Sequence, residues 1–192
     1  MSPVVVNILD LIDMGGNEVI EHKLATFSSP KNPEIEDFIR NKAIRFATGK
    51  LSITYLVYDE DTGNILGYFT LTHKSIIITG ENLSATSKKK LERYSRMDVA
   101  TNNYMASSFL LAQFGKNYAL AKKDRISGAE LMELTTGVLV NIQRQIGGGI
   151  VYLDCEDREE LTSFYKRHNF KQFDNRYSTE DNQKYIQFMR FF

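Results

Sequence analysis

Cationic side chains precede the most regular helical pattern of the sequence and form a candidate anion-binding site with it. Lys122, Lys123 and Arg125 are followed by Ser127 and Gly128, where the pattern begins. Amides in the first turn of a helix lack an intrahelical acceptor, the helix dipole is positive at that end, and glycine lets a ligand approach the backbone. The segment 122–130 predicts either a phosphate-binding helix start or an ordinary capped helix beside solvated charges.

Other reactive side chains give weaker indications of chemistry. Cys155 is the single cysteine, it follows a buried-strand pattern, and no histidine is near it in the sequence. Such a cysteine is typical of packing rather than of covalent catalysis. His22, His73 and His168 lack metal-ligand spacing, so we predict no metal site.

The most basic stretch of the sequence lies between residues 88 and 96. Its members are Lys88, Lys89, Lys90, Arg93 and Arg96. A phosphate-contacting patch would help hold an RNA. Glu92 and Asp98 interrupt the cluster, which favours a solvated helix face, and the RNA-binding patch stays open as the alternative.

Length and composition limit the class of protein. A chain of 192 residues with 42% hydrophobic residues supports one well-buried core and predicts a single domain. Lys plus Arg equal Asp plus Glu at 24 each, so no global field attracts nucleic acid or an anionic membrane. The sequence has no signal-peptide pattern or membrane-length apolar run, and one cysteine fits a reducing compartment, so we expect a soluble protein of the cytoplasm.

Periodicity and turn residues predict the elements of the first half. Branched apolar residues at 4–12 and 19–27 read as strand-like runs separated by a glycine-containing break. Residues 33–47 have helical spacing after a proline. Residues 51–58 and 65–72 are β-branched and aromatic runs separated by turn residues, which predicts a β-hairpin.

The second half predicts a strand-helix alternation. In order, it contains a surface helix at 84–97, a strand at 105–113, a helix at 127–146, a strand at 150–154, a helix at 157–168, and strands at 170–173 and 184–192. Ser127 and Glu130 have capping-box spacing, and glycines at 147–149 end the long helix. A strand-helix-strand order favours parallel pairing, whereas the hairpin is antiparallel, so we predict a mixed sheet.

Residues 110–170 resemble the cofactor-binding core of the GNAT superfamily of acetyl-CoA-dependent N-acetyltransferases in the order and spacing of strand, loop and long helix. The most specific match is Ser163-Phe164-Tyr165-Lys166-Arg167-His168-Asn169-Phe170, because the family closes this helix with Phe-Tyr, a short basic or polar turn, and a final Phe. Residues 27–33 and 65–71 resemble a branch that includes many toxins. The similarity covers residue 27 to the C-terminus.

The resemblance implies an α+β fold of the GNAT type. It predicts one domain over 1–192, with a mixed, mostly antiparallel central sheet of about six to seven strands, about four flanking helices, and a V-shaped splay at the cofactor strand. Residues 1–26 would be an N-terminal extension or the first strand. Residues 81–104 would be a variable insertion on the acceptor side.

The resemblance also implies a reaction and a site. Acetyl-CoA is the expected co-substrate, an unidentified primary amine attacks it directly, and Tyr165 holds the position of the family's usual acid, which protonates the departing thiolate. The expected cofactor-binding residues are Phe114, Gly115, Lys116, Lys123, Arg125, Ile126, Ser127, Gly128, Ala129 and Asp157.

The loop departs from the family's pattern, and several alternatives follow. Lys123 holds the first place of the signature, Ile126 stands where a glycine is usual, and residues 118–121 are extra. Residues 113–116 are a competing match, but no helix follows them directly to supply a dipole. The general base stays open among Glu130, Glu133, Asp154 and a water molecule.

Three functions follow from these observations. The main one is an N-acetyltransferase acting on a small-molecule or protein amine. The second is a toxin that acetylates aminoacyl-tRNA, with tRNA and an antitoxin as partners. The third is a CoA-binding module without catalysis, which Ile126 in the loop suggests. A homodimer is a further partner expectation.

Overall fold

The N-terminal residues form a strand that runs directly into a kinked helix. In a computed structural model that describes residues 2–179 and 182–192, β1 (Pro3–Asn7) is followed by α1 (Ile8–Leu24). The Asn7 side chain accepts a hydrogen bond from the Leu9 amide at 3.0 Å and so caps the helix. Gly16, with φ 75° and ψ 166°, kinks it.

This arrangement corrects the prediction for the N-terminal residues. The strand predicted over 4–12 is wrong beyond Asn7, and residues 19–27 continue the helix as far as Leu24. The cause is that Ile8, Ile20 and Leu24 pack into one core, which favours the helix over the strand that the branched side chains suggested. Residues 1–26 therefore contribute the first strand and also a core helix.

The chain divides into two compact units, of which the first comprises the residues up to Thr72 and Ala112–Val138. Its second helical segment joins α2 (Pro33–Asp37), a π-helical turn (Phe38–Lys42) and α3 (Ala43–Thr48) without a break. The Asn32 side chain accepts a hydrogen bond from the Ile35 amide at 3.2 Å. The helix predicted over 33–47 is confirmed.

The strands of the first unit form an antiparallel arrangement. β1 pairs with β2 (Ile53–Asp59), and β2 pairs with β3 (Ile65–Thr79), which confirms the predicted hairpin. The last residues of β5 (Asn103–Lys116) lie beside β3. Side chains from these strands, from α1 and from the α2–α3 segment form one hydrophobic cluster.

The second unit comprises His73–Leu111 and Leu139–Phe192. Its remaining elements are α4 (Ala85–Leu91), β4 (Met97–Asp98), the end of α5 (Gly128–Ile146), β6 (Ile150–Glu156), α6 (Glu159–Arg167), β7 (Lys171–Ser178) and β8 (Gln183–Phe191). The strand order here is β5-β6-β8-β7, and β4 pairs with β5.

The pairing in the second unit confirms the mixed sheet. β5 and β6 are parallel through Phe109–Val151 and Leu110–Tyr152, whereas β6–β8 and β7–β8 are antiparallel. Gly147 and Gly148 have φ of 78° and 96° where α5 ends, the left-handed backbone that glycine accepts without strain. The α+β fold class predicted from the sequence is confirmed.

Candidate active site

A complete capping box begins α5. The Ser127 hydroxyl accepts a hydrogen bond from the Glu130 amide at 3.1 Å, and the Glu130 carboxylate accepts one from the Ser127 amide at 2.9 Å. The second bond occupies the Ser127 amide, which the resemblance had assigned to the pyrophosphate. The amides of Gly128 and Ala129, in the first turn, are the ones that the box leaves for a ligand.

The Glu130 carboxylate bears on both cofactor binding and catalysis. Hydrogen bonds from the side chain and the backbone of Ser127 lower the pKa of Glu130. The group is therefore ionised near neutral pH, and a phosphate that took the Ser127 amide would have to displace it. A carboxylate with a lowered pKa accepts a proton weakly, so the geometry disfavours Glu130 as the general base.

Removing the Ser127 hydroxyl tests the capping box. Ser127→Ala should lower the free energy of unfolding by about 1 kcal/mol, the usual contribution of an N-cap hydroxyl. The pKa of Glu130 is lowered in the folded state, so ionised Glu130 stabilises the fold above its ordinary pKa of 4.5. This stabilisation is lost as the pH falls through the lowered pKa of the folded state. Urea unfolding at pH 7 and pH 3 should show a smaller difference from wild type at pH 3. Ser75→Ala, on an exposed strand position, is the control, and an equal loss in both variants contradicts the prediction.

Arg125 and Ile126 have structural partners that the sequence did not reveal. The Arg125 guanidinium donates hydrogen bonds to the carbonyls of Leu120 and Tyr118, at 2.7 and 2.8 Å, and lies over the Tyr118 ring. Ile126 is 1% exposed. The two side chains therefore fix the loop before α5, while Lys123 is exposed and accessible to a phosphate.

The end of β5 is tightly packed within the first unit. A Cβ on Gly115 would lie 2.4 Å from Ile35 Cγ2, and a Cβ on Gly67 would lie 2.8 Å from the Gly115 carbonyl oxygen. Phe114 and Lys116, on either side, are half-buried. Close packing therefore requires the glycine, whatever the strand binds.

Backbone hydrogen bonds flank the pairing of β5 with β3. They join Gly80 to Asn102 at one end of the pair and Asn117 to Leu66 at the other.

Gln113 is a candidate that the sequence missed as an individual residue. Its side-chain oxygen Oε1 is buried and has no hydrogen-bond partner among residues 2–179 and 182–192. An unpaired buried acceptor costs free energy, and a donor on a ligand would satisfy it. With the amides of Gly128 and Ala129 and the exposed Lys123, it makes the first unit chemically compatible with acetyl-CoA, whose pantetheine has amide donors and whose pyrophosphate is an anion.

Tyr165 lies in an aromatic cluster in the second unit. Its ring centroid is 5.2 Å from Phe164, 5.7 Å from Phe170 and 6.0 Å from Phe188, and the residue is 8% exposed. Burial, with a smaller effect of Cys155, raises the pKa of Tyr165. The hydroxyl is therefore protonated at neutral pH, as a proton donor must be.

The motif after Tyr165 is a helix-ending device. Asn169, with φ 65°, is left-handed, the Phe170 amide bonds to the Tyr165 carbonyl, and the Asn169 amide bonds to the Lys166 carbonyl. These bonds define a Schellman motif, and the Phe170–Tyr165 ring contact is the hydrophobic contact that accompanies it. The family signature in this helix therefore has a structural cause in addition to any catalytic one.

Cys155 is buried and protonated. Burial, with a smaller effect of Asp154, Asp157 and Glu156, raises the pKa of its thiol to about 12 from 9.0. A thiol in this state is a poor nucleophile at neutral pH, which agrees with a packing role.

Alkylation measures the reactivity of the Cys155 thiol directly. Native protein should incorporate almost no iodoacetamide at Cys155 at pH 8, because the reactive thiolate is scarce and shielded, whereas unfolded protein should react fully. The raised pKa also means that Cys155 favours folding below pH 9.0 and that this contribution is lost as the pH rises toward about 12. A Cys155→Ala, Thr86→Cys variant, with its thiol on exposed α4, is the positive control for mass spectrometry. Rapid native labelling that stops acetyl transfer would contradict the packing role.

The remaining acidic candidates lie at the surface or are already paired. Asp157 is exposed in the turn between β6 and α6, and Glu133 is exposed on α5. The Asp154 carboxylate accepts hydrogen bonds from Arg176 at 2.6 Å and from Gln187 at 2.9 Å. No general base is singled out by these contacts.

The predicted site residues divide between the units. The first unit contains Phe114, Gly115, Lys116 and the loop 123–129, and the second contains Tyr165 and Asp157. Within residues 2–179 and 182–192, no cluster of His, Cys, Asp and Glu could hold a metal ion. In the same part of the chain, no helix has the length and apolar character needed to cross a membrane.

Solved structures identify the fold. The chain matches AtaT complexed with acetyl-methionyl-tRNA at a TM-score of 0.66 and 15% identity, over 96% of this chain and 94% of that one. A tyrosine-to-phenylalanine variant of KacT matches at 0.64 and 17% identity, over 97% and 94%. The chain has the fold of the GNAT acetyltransferase toxins. A structure of AtaTR bound with acetyl-CoA shares this GNAT fold, at 0.60 and 15% identity over 99% and 93% of the two chains. No protein-family model and no curated protein sequence matches the chain.

Proposed function

We propose that this protein is an acetyl-CoA-dependent N-acetyltransferase that transfers the acetyl group to a primary amine by direct attack. The observation that carries the proposal is the match of nearly the whole chain to acetyltransferase toxins, among them a structure bound with acetyl-CoA. Tyr165 lies in the Phe-Tyr motif that carries the sequence resemblance, and its hydroxyl is protonated at neutral pH, although burial raises its pKa and so makes it a weaker acid. The expected location is the cytoplasm, where acetyl-CoA is available.

The residues that the resemblance singles out have distinct roles in this proposal. Acetyl-CoA supplies an acetyl group activated as a thioester. The amides of Gly128 and Ala129 and the ammonium group of Lys123 bind its pyrophosphate, and Gln113 Oε1 accepts a hydrogen bond from the pantetheine. Tyr165 donates its proton to the leaving thiolate, and a water or an acidic side chain deprotonates the amine.

Calorimetry followed by a turnover assay tests the proposal. Acetyl-CoA should bind with one-to-one stoichiometry, and Lys123→Gln should weaken binding because it removes a charge beside the pyrophosphate. Lys31→Gln, an exposed lysine far from the loop in sequence, is the control. Absence of binding at millimolar acetyl-CoA would reject the function. Binding without thioester hydrolysis or transfer across a broad amine screen would instead support the catalytically inactive CoA-binding module.

A second candidate acceptor is aminoacyl-tRNA, and the basic stretch 88–96, in and directly after α4, favours it. Lys89, Lys90, Arg93 and Arg96 are exposed, and Lys88 is half-buried. The two acids that interrupt this cluster already have hydrogen-bond partners. The Glu92 carboxylate accepts a hydrogen bond from the Tyr104 hydroxyl, and the Asp98 carboxylate accepts one from the Ala100 amide. Within residues 2–179 and 182–192, no ion pair neutralises the five cations. This uncompensated charge is suited to an RNA backbone, and AtaT has been solved with an acetylated tRNA.

Removal of charge from this basic stretch tests the tRNA acceptor. The triple variant Lys89→Gln, Lys90→Gln, Arg93→Gln should weaken aminoacyl-tRNA binding and lower the slope of log affinity against log salt by about two to three. Acetyl-CoA binding should be unchanged. A control triple variant at Lys31, Lys50 and Lys171 should retain the wild-type slope. An unchanged slope in the α4 variant would contradict tRNA binding by this surface and leave the small-molecule or protein amine as the acceptor.

A further inference from the structure

The first unit contains a cavity. A cavity of about 240 Å³ lies between the end of α1, the β2–β3 turn and the segment that follows β5. None of the predicted cofactor-binding residues lines it. Its volume is below the range of drug-sized ligand sites, about 300–1,000 Å³, so it suits a small ligand.

Lys23, Tyr58 and Asn64 bring hydrogen-bond donors to the lining of the cavity. Tyr58 is 9% exposed, and its hydroxyl is buried without a hydrogen-bond partner in the described part of the chain. Lys23 Nζ lies 5.5 Å from the centroid of the Tyr58 ring. Exposed Asn64 also lines the cavity and adds a side-chain amide. An unpaired buried hydroxyl is destabilising, so an acceptor at this point would lower the free energy of the protein.

Other polar groups of the wall are already satisfied. The Asn117 side chain accepts bonds from the amides of Ser28 and Ala119, each at 3.0 Å, and donates one to the Ile65 carbonyl at 2.8 Å. The Thr26 hydroxyl donates to the Lys23 carbonyl at 2.7 Å. The groups left for a ligand are therefore one cation, one hydroxyl and one amide, which together recognise an acceptor-rich, negatively charged group.

The Asp59 carboxylate, next to Tyr58 in the sequence, already has partners. Successive side chains of a strand point to opposite faces, which places Asp59 on the other face of β2 from Tyr58. It accepts hydrogen bonds from the Ser2 amide at 3.0 Å and from the Thr62 hydroxyl at 2.8 Å.

We propose that this cavity binds a small oxyanion, the phosphate or carboxylate group of a compact ligand, through Lys23, Tyr58 and Asn64. The site also contacts the loop before α5. Leu120 lines the cavity, and its carbonyl accepts the 2.7 Å hydrogen bond from Arg125. Ligand binding therefore alters the environment of Arg125, and, resting on the proposed function, it couples to acetyl-CoA binding at the same loop.

Titration of the isotope-labelled full chain with inorganic phosphate or acetate, at constant ionic strength and without acetyl-CoA, tests the site. The amides of Asn64, Ala119 and Leu120 and the Arg125 Nε–H signal should shift saturably. Tyr58→Phe, which removes only the hydroxyl, and Lys23→Met should each raise Kd about tenfold or more, whereas Lys31→Met should not change it. The ion with the lower Kd identifies phosphate or carboxylate as the ligand group.

Two results would overturn the proposal. One is the absence of a saturable shift at these amides with either ion. The other is a Kd in Tyr58→Phe and Lys23→Met equal to that of wild type. An Arg125 signal that stays unmoved at saturation contradicts the coupling. Because acetyl-CoA is absent from the titration, failure of the proposed acetyltransferase function leaves the result intact.

Discussion

Replacing Tyr165 with phenylalanine should lower kcat for acetyl transfer by roughly 10²- to 10⁴-fold, the usual contribution of a positioned general acid. The Phe164, Phe170 and Phe188 rings around it are apolar, so the variant keeps the packing and loses only the hydroxyl. KM for acetyl-CoA should change by less than about threefold, because the proton is needed only in the transition state. Release of CoA, followed continuously with a thiol reagent, measures both constants.

The pH profile distinguishes catalysis from packing. Burial raises the pKa of Tyr165, so the acid stays protonated and wild-type kcat should not fall with rising pH below about 10, the ordinary tyrosine value. Tyr104→Phe, at another buried tyrosine of the second unit, is the matched control and should retain kcat. A Tyr165→Phe variant with wild-type kcat and normal stability would remove Tyr165 from the mechanism.

A methyl group at Gly115 should destabilise the protein by about 1–3 kcal/mol, the typical cost of overpacking a core. The new Cβ would lie 2.4 Å from Ile35 Cγ2, so α2 or β5 must shift. Urea unfolding of Gly115→Ala should show a lower midpoint with an unchanged m-value. Since β5 carries the expected thioester-binding amides, acetyl-CoA binding should weaken as well.

A double-mutant cycle tests whether the contact with Ile35 causes the destabilisation by Gly115→Ala. Ile35→Ala removes the clashing atom, so the Gly115→Ala cost should be smaller in that background than in wild type. Gly137→Ala is the control, because no atom lies within 4 Å of its Cβ on exposed α5. It should stabilise the protein by about 0.4–1 kcal/mol. If Gly115→Ala lowers the free energy of unfolding as much in the Ile35→Ala background as in wild type, a contact other than Ile35 is what requires glycine at this position.

Features that depend on neighbouring residues were predictable from the sequence. The capping box at Ser127 and Glu130, the α5 helix, the β2–β3 hairpin and the closing β6-α6-β7-β8 order all follow from short-range spacing and turn chemistry. The Phe-Tyr motif predicted the GNAT fold through its resemblance to the family, and the same stretch ends the helix through local hydrogen bonds of Asn169 and Phe170. The roles assigned to the cofactor loop and to Tyr165 remain predictions.

Features that depend on distant contacts were decided by the tertiary structure. The chain from Ile8 to Leu24 has strand-like residues, but burial of its apolar side chains in the first unit makes it a helix. The sequence suggested Arg125 as a phosphate ligand. In the structure its guanidinium donates hydrogen bonds to the carbonyls of Tyr118 and Leu120. The need for glycine at position 115 and the burial of the unpaired Gln113 oxygen both depend on tertiary packing, which short-range sequence patterns do not show. Periodicity records which face of an element is apolar, whereas the partner of a polar group is fixed only when the chain has folded.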